Sequence, residues 1–181
     1  MHTADPVEFS RPVALDRISS TQHREEVTAT EKERTDLAQR FELLGLDRLS
    51  ASFTLKRVRK DLVRVKGHLS AEVVQACVVT LEPVPARIDE RFEVDFLEGA
   101  APAAADVELD AEAADAPEPV VNGWIDLGEL AAEQLGLALN PYPRKADAAV
   151  PAEWTAEPPA EASVEHANPF AALEKLKSGK R

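Results

Sequence analysis

The chain has 181 residues, a formal net charge of −12 and a single cysteine. That length suits one domain with appended segments, a lone thiol excludes an internal disulfide and a cysteine-built zinc cage, and no run of about 18 apolar residues is present to make an ordinary spanning helix. Alanine supplies much of the 44% apolar fraction and aromatics only 5%, so the core is expected to be smaller than the length suggests. Met1–Val13 has no apolar run behind positive charge, so no secretory signal and a cytoplasmic location are expected.

Pro6–Leu15 reads as a short edge strand, with Phe9, Val13 and Leu15 at even spacings and Pro12 tolerable only at an edge. Thr30 followed by Glu33 is a capping-box pattern. Leu37, Ala38, Phe41 and Leu44 then repeat at helical spacing, which predicts a helix over Glu31–Leu44 ended by Gly45. From Leu49 the period changes to two. Leu49, Ala51, Phe53 and Leu55 share one face; Arg59-Lys60-Asp61 breaks the pattern; Val63, Val65, Gly67, Leu69, Ala71 and Val73 resume it. That is an antiparallel hairpin with one solvated face. Val73–Glu82 is apolar on both parities and reads as an interior strand or the continuation of a long bent one. Pro83 and Pro85 end it, and Ala86–Phe96 forms a further strand with Ile88, Phe92, Val94 and Phe96 on one face.

Residues 99–119 are rich in Ala, Asp, Glu and Pro and are expected to form a mobile acidic loop. Val120–Leu127 is a strand-like entry in which Trp124 is expected to anchor the core. Asp126 and Glu129 then cap an amphipathic helix through Leu127, Leu130, Ala131, Leu135 and Ala138, which Pro141 and Pro143 end. Residues 144–167 read as a flexible proline-rich linker. Residues 168–181 read as a short helix opened by Asn168-Pro169 and a basic tail; Phe170, Leu173 and Leu176 form a stripe suited to a partner. The fold class is α+β: one domain over residues 1–143, with an antiparallel sheet of about five or six strands flanked by two helices.

Nothing in this sequence matches a dinucleotide, phosphate-loop, nucleophile-elbow or zinc-protease motif, so no enzymatic activity, cofactor or catalytic residue is expected. Cys77 reads as a small buried hydrophobe in a strand, and His68 as a solvated strand residue. The charge distribution is more informative. Arg48, Lys56, Arg57, Arg59, Lys60, Arg64 and Lys66 face only Asp61 between positions 48 and 66. Pairing gathers Lys56, Arg57, Arg59, Lys60, Arg64 and Lys66 on one ribbon, where mutual repulsion calls for an anionic partner. RNA phosphate and the protein's own acidic loop are both candidates. No core position is involved, so reversing Arg57, Arg59, Arg64 and Lys66 is expected to spare the fold.

Gly67-His68-Leu69-Ser70-Ala71 followed by Gln75-Ala76-Cys77-Val78-Val79-Thr80-Leu81-Glu82-Pro83 resembles the central signature of YceD-like large ribosomal RNA subunit accumulation proteins. Phe9–Val13 is similar to that family's opening strand, Ile125–Leu130 through Leu137–Pro143 to its downstream helix and proline exit, and Asn168–Leu173 to its terminal tag. The resemblance implies a bacterial or plastid ribosome-biogenesis factor acting on large-subunit ribosomal RNA or its precursor. An alternative is an adaptor recruiting a ribosomal protein or RNA-processing nuclease through the acidic loop and terminal helix. Many members carry Cys-x-x-Cys at the signature. Here Thr80 holds the second position, so no metal is expected.

Overall fold

The computed structural model describes residues 7–99, 116–120 and 122–149. The acidic stretch 100–115, most of the linker, and the terminal helix with Phe170, Leu173 and Leu176 lie outside the described residues.

Among the described residues ten elements follow one another: β1 (Pro12–Ala14), a 3-10 turn (Leu15–Arg17), β2 (His23–Thr28), α1 (Glu31–Arg40), β3 (Gly45–Arg57), β4 (Leu62–Ala76), β5 (Pro83–Glu98), β6 (Glu118–Val120), β7 (Trp124–Asp126) and α2 (Leu127–Ala138). The main sheet has the order β2-β3-β4-β5-β6, and β1 pairs β7 in a second, two-stranded sheet. All pairs are antiparallel except β5–β6. The class is α+β.

Alternation decides which face is buried. Leu49, Ala51, Phe53 and Leu55 of β3 and Val63, Val65, Leu69, Ala71 and Val73 of β4 are buried on one side, where Leu37 of α1 and Leu127, Leu130 and Leu135 of α2 cover them. Gly67 keeps this parity because the Phe92 ring fills its place: a Cβ there would lie 2.1 Å from that ring. Phe92 in turn meets Phe53 edge-on at 6.0 Å.

Local chemistry explains both helices. Thr30 accepts from the Glu33 amide while the Glu33 carboxylate accepts from the Thr30 amide, completing the capping box. Asp126 accepts from the amides of Gly128 and Glu129, and from the Arg11 amide at 2.7 Å, tying the start of α2 to the chain before β1. Gly128 has no room for a side chain there, since a Cβ would lie 2.5 Å from the Phe9 carbonyl oxygen.

Several boundaries differ from the sequence reading. α1 stops at Arg40, because Glu42 takes the left-handed conformation (φ 54°), and Gly45 opens β3 instead of ending the helix. The opening strand contracts to Pro12–Ala14. Strand β2 carries one buried residue, Val27, in a polar edge sequence and has no hydrophobic signal to announce it. β4 ends at Ala76, so Cys77 sits in a turn. Trp124 is 53% exposed and anchors nothing; Ile125 and Leu127 fill the core at that junction. Alternation across a turn at Asn122-Gly123, both with positive φ, points the indole outward.

Candidate nucleic-acid interface

The expected hairpin forms: Lys56 pairs Arg64 and Thr54 pairs Lys66 across β3 and β4. Its tight end is closed by the Val58 and Arg59 amides donating to the Leu62 carbonyl at 2.9 and 3.2 Å. Six candidate cations therefore lie on one ribbon. Their surroundings divide them.

Register places Asp95 of β5 opposite Arg64, and Glu93 opposite Lys66. Arg64 grips Asp95 through two hydrogen bonds of 2.8 Å and also reaches Glu93 at 3.1 Å; Lys66 meets Glu93 at 2.8 Å. The Arg64 hydrogen bond holds the Asp95 carboxyl below its usual range despite partial burial. Arg57 is bound to backbone: Nε donates to the Ile18 carbonyl at 3.0 Å, and the two terminal nitrogens to the Leu15 and Lys60 carbonyls at 2.6 and 2.7 Å. It fastens the 3-10 turn to the end of β3. Reversing Arg57, Arg64 and Lys66 therefore strikes bonds of the fold, contrary to the sequence expectation.

Lys56, Arg59 and Lys60 are exposed, and among the described residues their side chains form no ion pair or hydrogen bond. Arg59 contributes a longer-range field that helps depress Asp95. Arg24 joins this group. It lies opposite Thr54 on the same outer face, diagonal to Lys56. Sequence reasoning missed Arg24 because it missed β2. The outer face of β3 and β4 carries Arg48, Ser50, Ser52, Thr54 and Lys56, then Arg64, Lys66, His68, Ser70 and Glu72. Apart from the His68 imidazole none carries an aromatic ring, so these strands offer mainly phosphate contact. His68 is half-exposed and bonded to Asp89 at 2.9 Å.

The signature turn is a separate site. Cys77 is buried, and its thiol is lowered to about 6 by the Thr80 hydroxyl first, then by the amides of Lys145, Thr80 and Val79. The Val78 amide donates to the Pro143 carbonyl at 2.9 Å, and Lys145 bridges Glu82 at 2.8 Å. Thr80, whose hydroxyl donates to the Glu82 carboxylate at 3.3 Å, stands where a second thiolate would ligate. Among the described residues no group of three or more His, Cys, Asp or Glu side chains converges on a metal position, and this turn does not fit a zinc site.

Fold and site together define a small α+β domain with one polar sheet face and a cationic hairpin tip. The chain belongs to the family described as large ribosomal RNA subunit accumulation protein YceD, whose model matches residues 65–177. That family name associates it with ribosome biogenesis. No curated protein and no solved structure matches the chain. The matched stretch begins inside β4, so it takes in the Cys77 turn, β5 and α2 but leaves out Lys56, Arg59 and Lys60. Among the described residues no helix is long and apolar enough to cross a membrane.

Proposed function

We propose that the chain promotes accumulation of large-subunit ribosomal RNA as a non-enzymatic factor that holds RNA phosphates at the tip of the β3–β4 hairpin. The observation carrying this reading is the contrast between Lys56, Arg59 and Lys60, exposed without a carboxylate partner among the described residues, and Arg64 and Lys66, whose partners are built into β5. Arg59 and Lys60 in the tight turn, Lys56 on the adjoining strand and Arg24 diagonal to it present one cluster of positive charge to RNA phosphates. Contacts of this type position an RNA without reading its bases.

Ultraviolet crosslinking in cells, followed by sequencing of attached RNA and mapping of the crosslinked peptide, tests the proposal. Large-subunit precursor RNA on the peptide spanning residues 56–62 is the expected result. Crosslinks to ribosomal proteins alone would replace direct RNA contact with the adaptor reading.

A further inference from the structure

As far as the described residues go, the main sheet is open along most of β5. Among the described residues β6 is the only strand that pairs with the outer edge of β5, and it does so only at Phe96–Glu98. The Glu98 amide donates to the Asp61 carbonyl, and the Glu82 carbonyl accepts from Cys77, both on the β4 side. Main-chain groups alternate direction along a strand, so the even positions of β5 face β4. The amides and carbonyls of Arg87, Asp89, Arg91, Glu93 and Asp95 point away from it. Pro83 and Pro85 share that outward parity, where a missing N–H costs no ladder bond, as proline in a strand requires.

α2 runs beside this edge and leaves two successive hollows, of about 170 and 240 Å3. Phe96, Leu130 and Trp124 line the first; Phe92, Leu137 and Ala138 line the second. Leu137 is 80% exposed and Trp124 53%. The first rim is acidic, bordered by Glu118 and Glu133, while Glu90 and Arg91 border the second. Desolvation raises both Glu118 and Glu133, and Glu133 is raised further by the nearby charges of Glu118 and Glu129. Arg40, bonded to Glu129 at 2.7 Å, offsets only part of this field at Glu133.

We infer that the edge of β5 from Arg87 to Asp95 takes up an extended basic segment of another polypeptide as an added strand, with apolar side chains entering the hollows beside α2 and cationic ones meeting Glu90, Glu118 and Glu133. Strand addition supplies affinity through main-chain bonds and selectivity through alternate side chains. A second copy of this chain is the wrong occupant. β5 carries two arginines against five carboxylates, and Glu90 stands on the inward parity, a charge placement that repels self-pairing at an edge. A basic strand instead meets attraction at Glu90, Glu118 and Glu133.

Amide hydrogen exchange on the full chain, with and without a synthetic peptide of repeated Val-Ser-Lys-Ser, which places valine and lysine in turn on one strand face, tests the inference. In the free chain the amides of Arg87, Asp89, Arg91, Glu93 and Asp95 should exchange fast, while those of Ile88, Phe92 and Val94 are slow. The lysine peptide should slow the odd set, and the same repeat with glutamate in place of lysine should not. Glu90→Lys with Glu133→Lys should weaken peptide binding about tenfold or more. Arg91→Pro should weaken it too, by removing one outward amide without touching the β4 ladder. The inference is overturned if the odd amides are already protected, if the two peptides act alike, if neither variant matters, or if protection grows with protein concentration alone.

Discussion

Arg57 and Lys60 stand three residues apart at one end of the hairpin, and the fold treats them in opposite ways. Arg57 holds three carbonyl oxygens and locks the chain before β2 onto β3. Lys60 lends only its carbonyl to that arrangement and keeps its ammonium in solvent. The same division separates the cations of β4 from the others: Arg64 and Lys66 are met by the outward carboxylates of β5, whereas Lys56, level with Arg64, has β4 between it and that row, and Arg59 lies in the turn. A run of cations in a sequence counts charges. Strand register decides which remain available to a ligand.

The largest test of this division is Arg57→Ala. It strands the Ile18 carbonyl, leaves the Leu15 carbonyl with the Ile18 amide alone, and should lower unfolding free energy by about 2–4 kcal/mol in a denaturant titration, at the scale of charge-assisted hydrogen bonds. A loss near zero would place Arg57 with the tip cations. Glu33→Gln comes next, because Glu33 ties Arg11 at 2.8 and 3.0 Å and closes the α1 capping box. It should cost about 1 kcal/mol near neutral pH. The Arg11 hydrogen bond leads in holding the Glu33 carboxyl at about 2, below its ordinary 4.5. Its contribution is therefore complete above pH 4.5 and disappears as pH falls through 2, so the variant should flatten that acid limb.

Cys77 is the acidic counterpart of Arg57, a buried titratable group held at its own turn. Its thiol is depressed from 9.0 to about 6, so its contribution is full above pH 9 and is lost as pH falls through 6. The melting temperature should rise between pH 6 and 9 relative to Cys77→Ala, and Thr80→Val should shrink that rise. Parallel melting curves for protein and variant would contradict a hydrogen-bonded thiolate. The smallest effect belongs to the tip: Lys56→Ala, Arg59→Ala and Lys60→Ala together should shift stability by less than about 0.5 kcal/mol.

Period-two alternation revealed β3 and β4 with their buried faces, and paired capping residues revealed both helix starts, because each signal is local. β2 was illegible for a physical reason. An edge strand with one buried residue needs no apolar pattern, and with it Arg24 went unseen. The cation cluster was legible as composition, and its partition was not. Asp95 meets Arg64 from 31 residues away through a register that no local pattern prints. Likewise Trp124 reads as core by type, while parity after the Asn122-Gly123 turn sends it out to the groove beside α2.

The central claim is that the tip, and not the sides, of the hairpin meets RNA. Affinity for a folded fragment of large-subunit ribosomal RNA, measured from low to high salt, tests it most directly. Charge reversal at Lys56, Arg59 and Lys60 should reduce affinity at least tenfold at low salt and flatten the logarithmic salt slope by about 2, as loss of three phosphate contacts demands. Reversing Glu93 and Asp95 to Gln and Asn, which frees Arg64 and Lys66, should leave the tip contribution in place and steepen the slope. An unchanged slope in the tip variant would contradict the account.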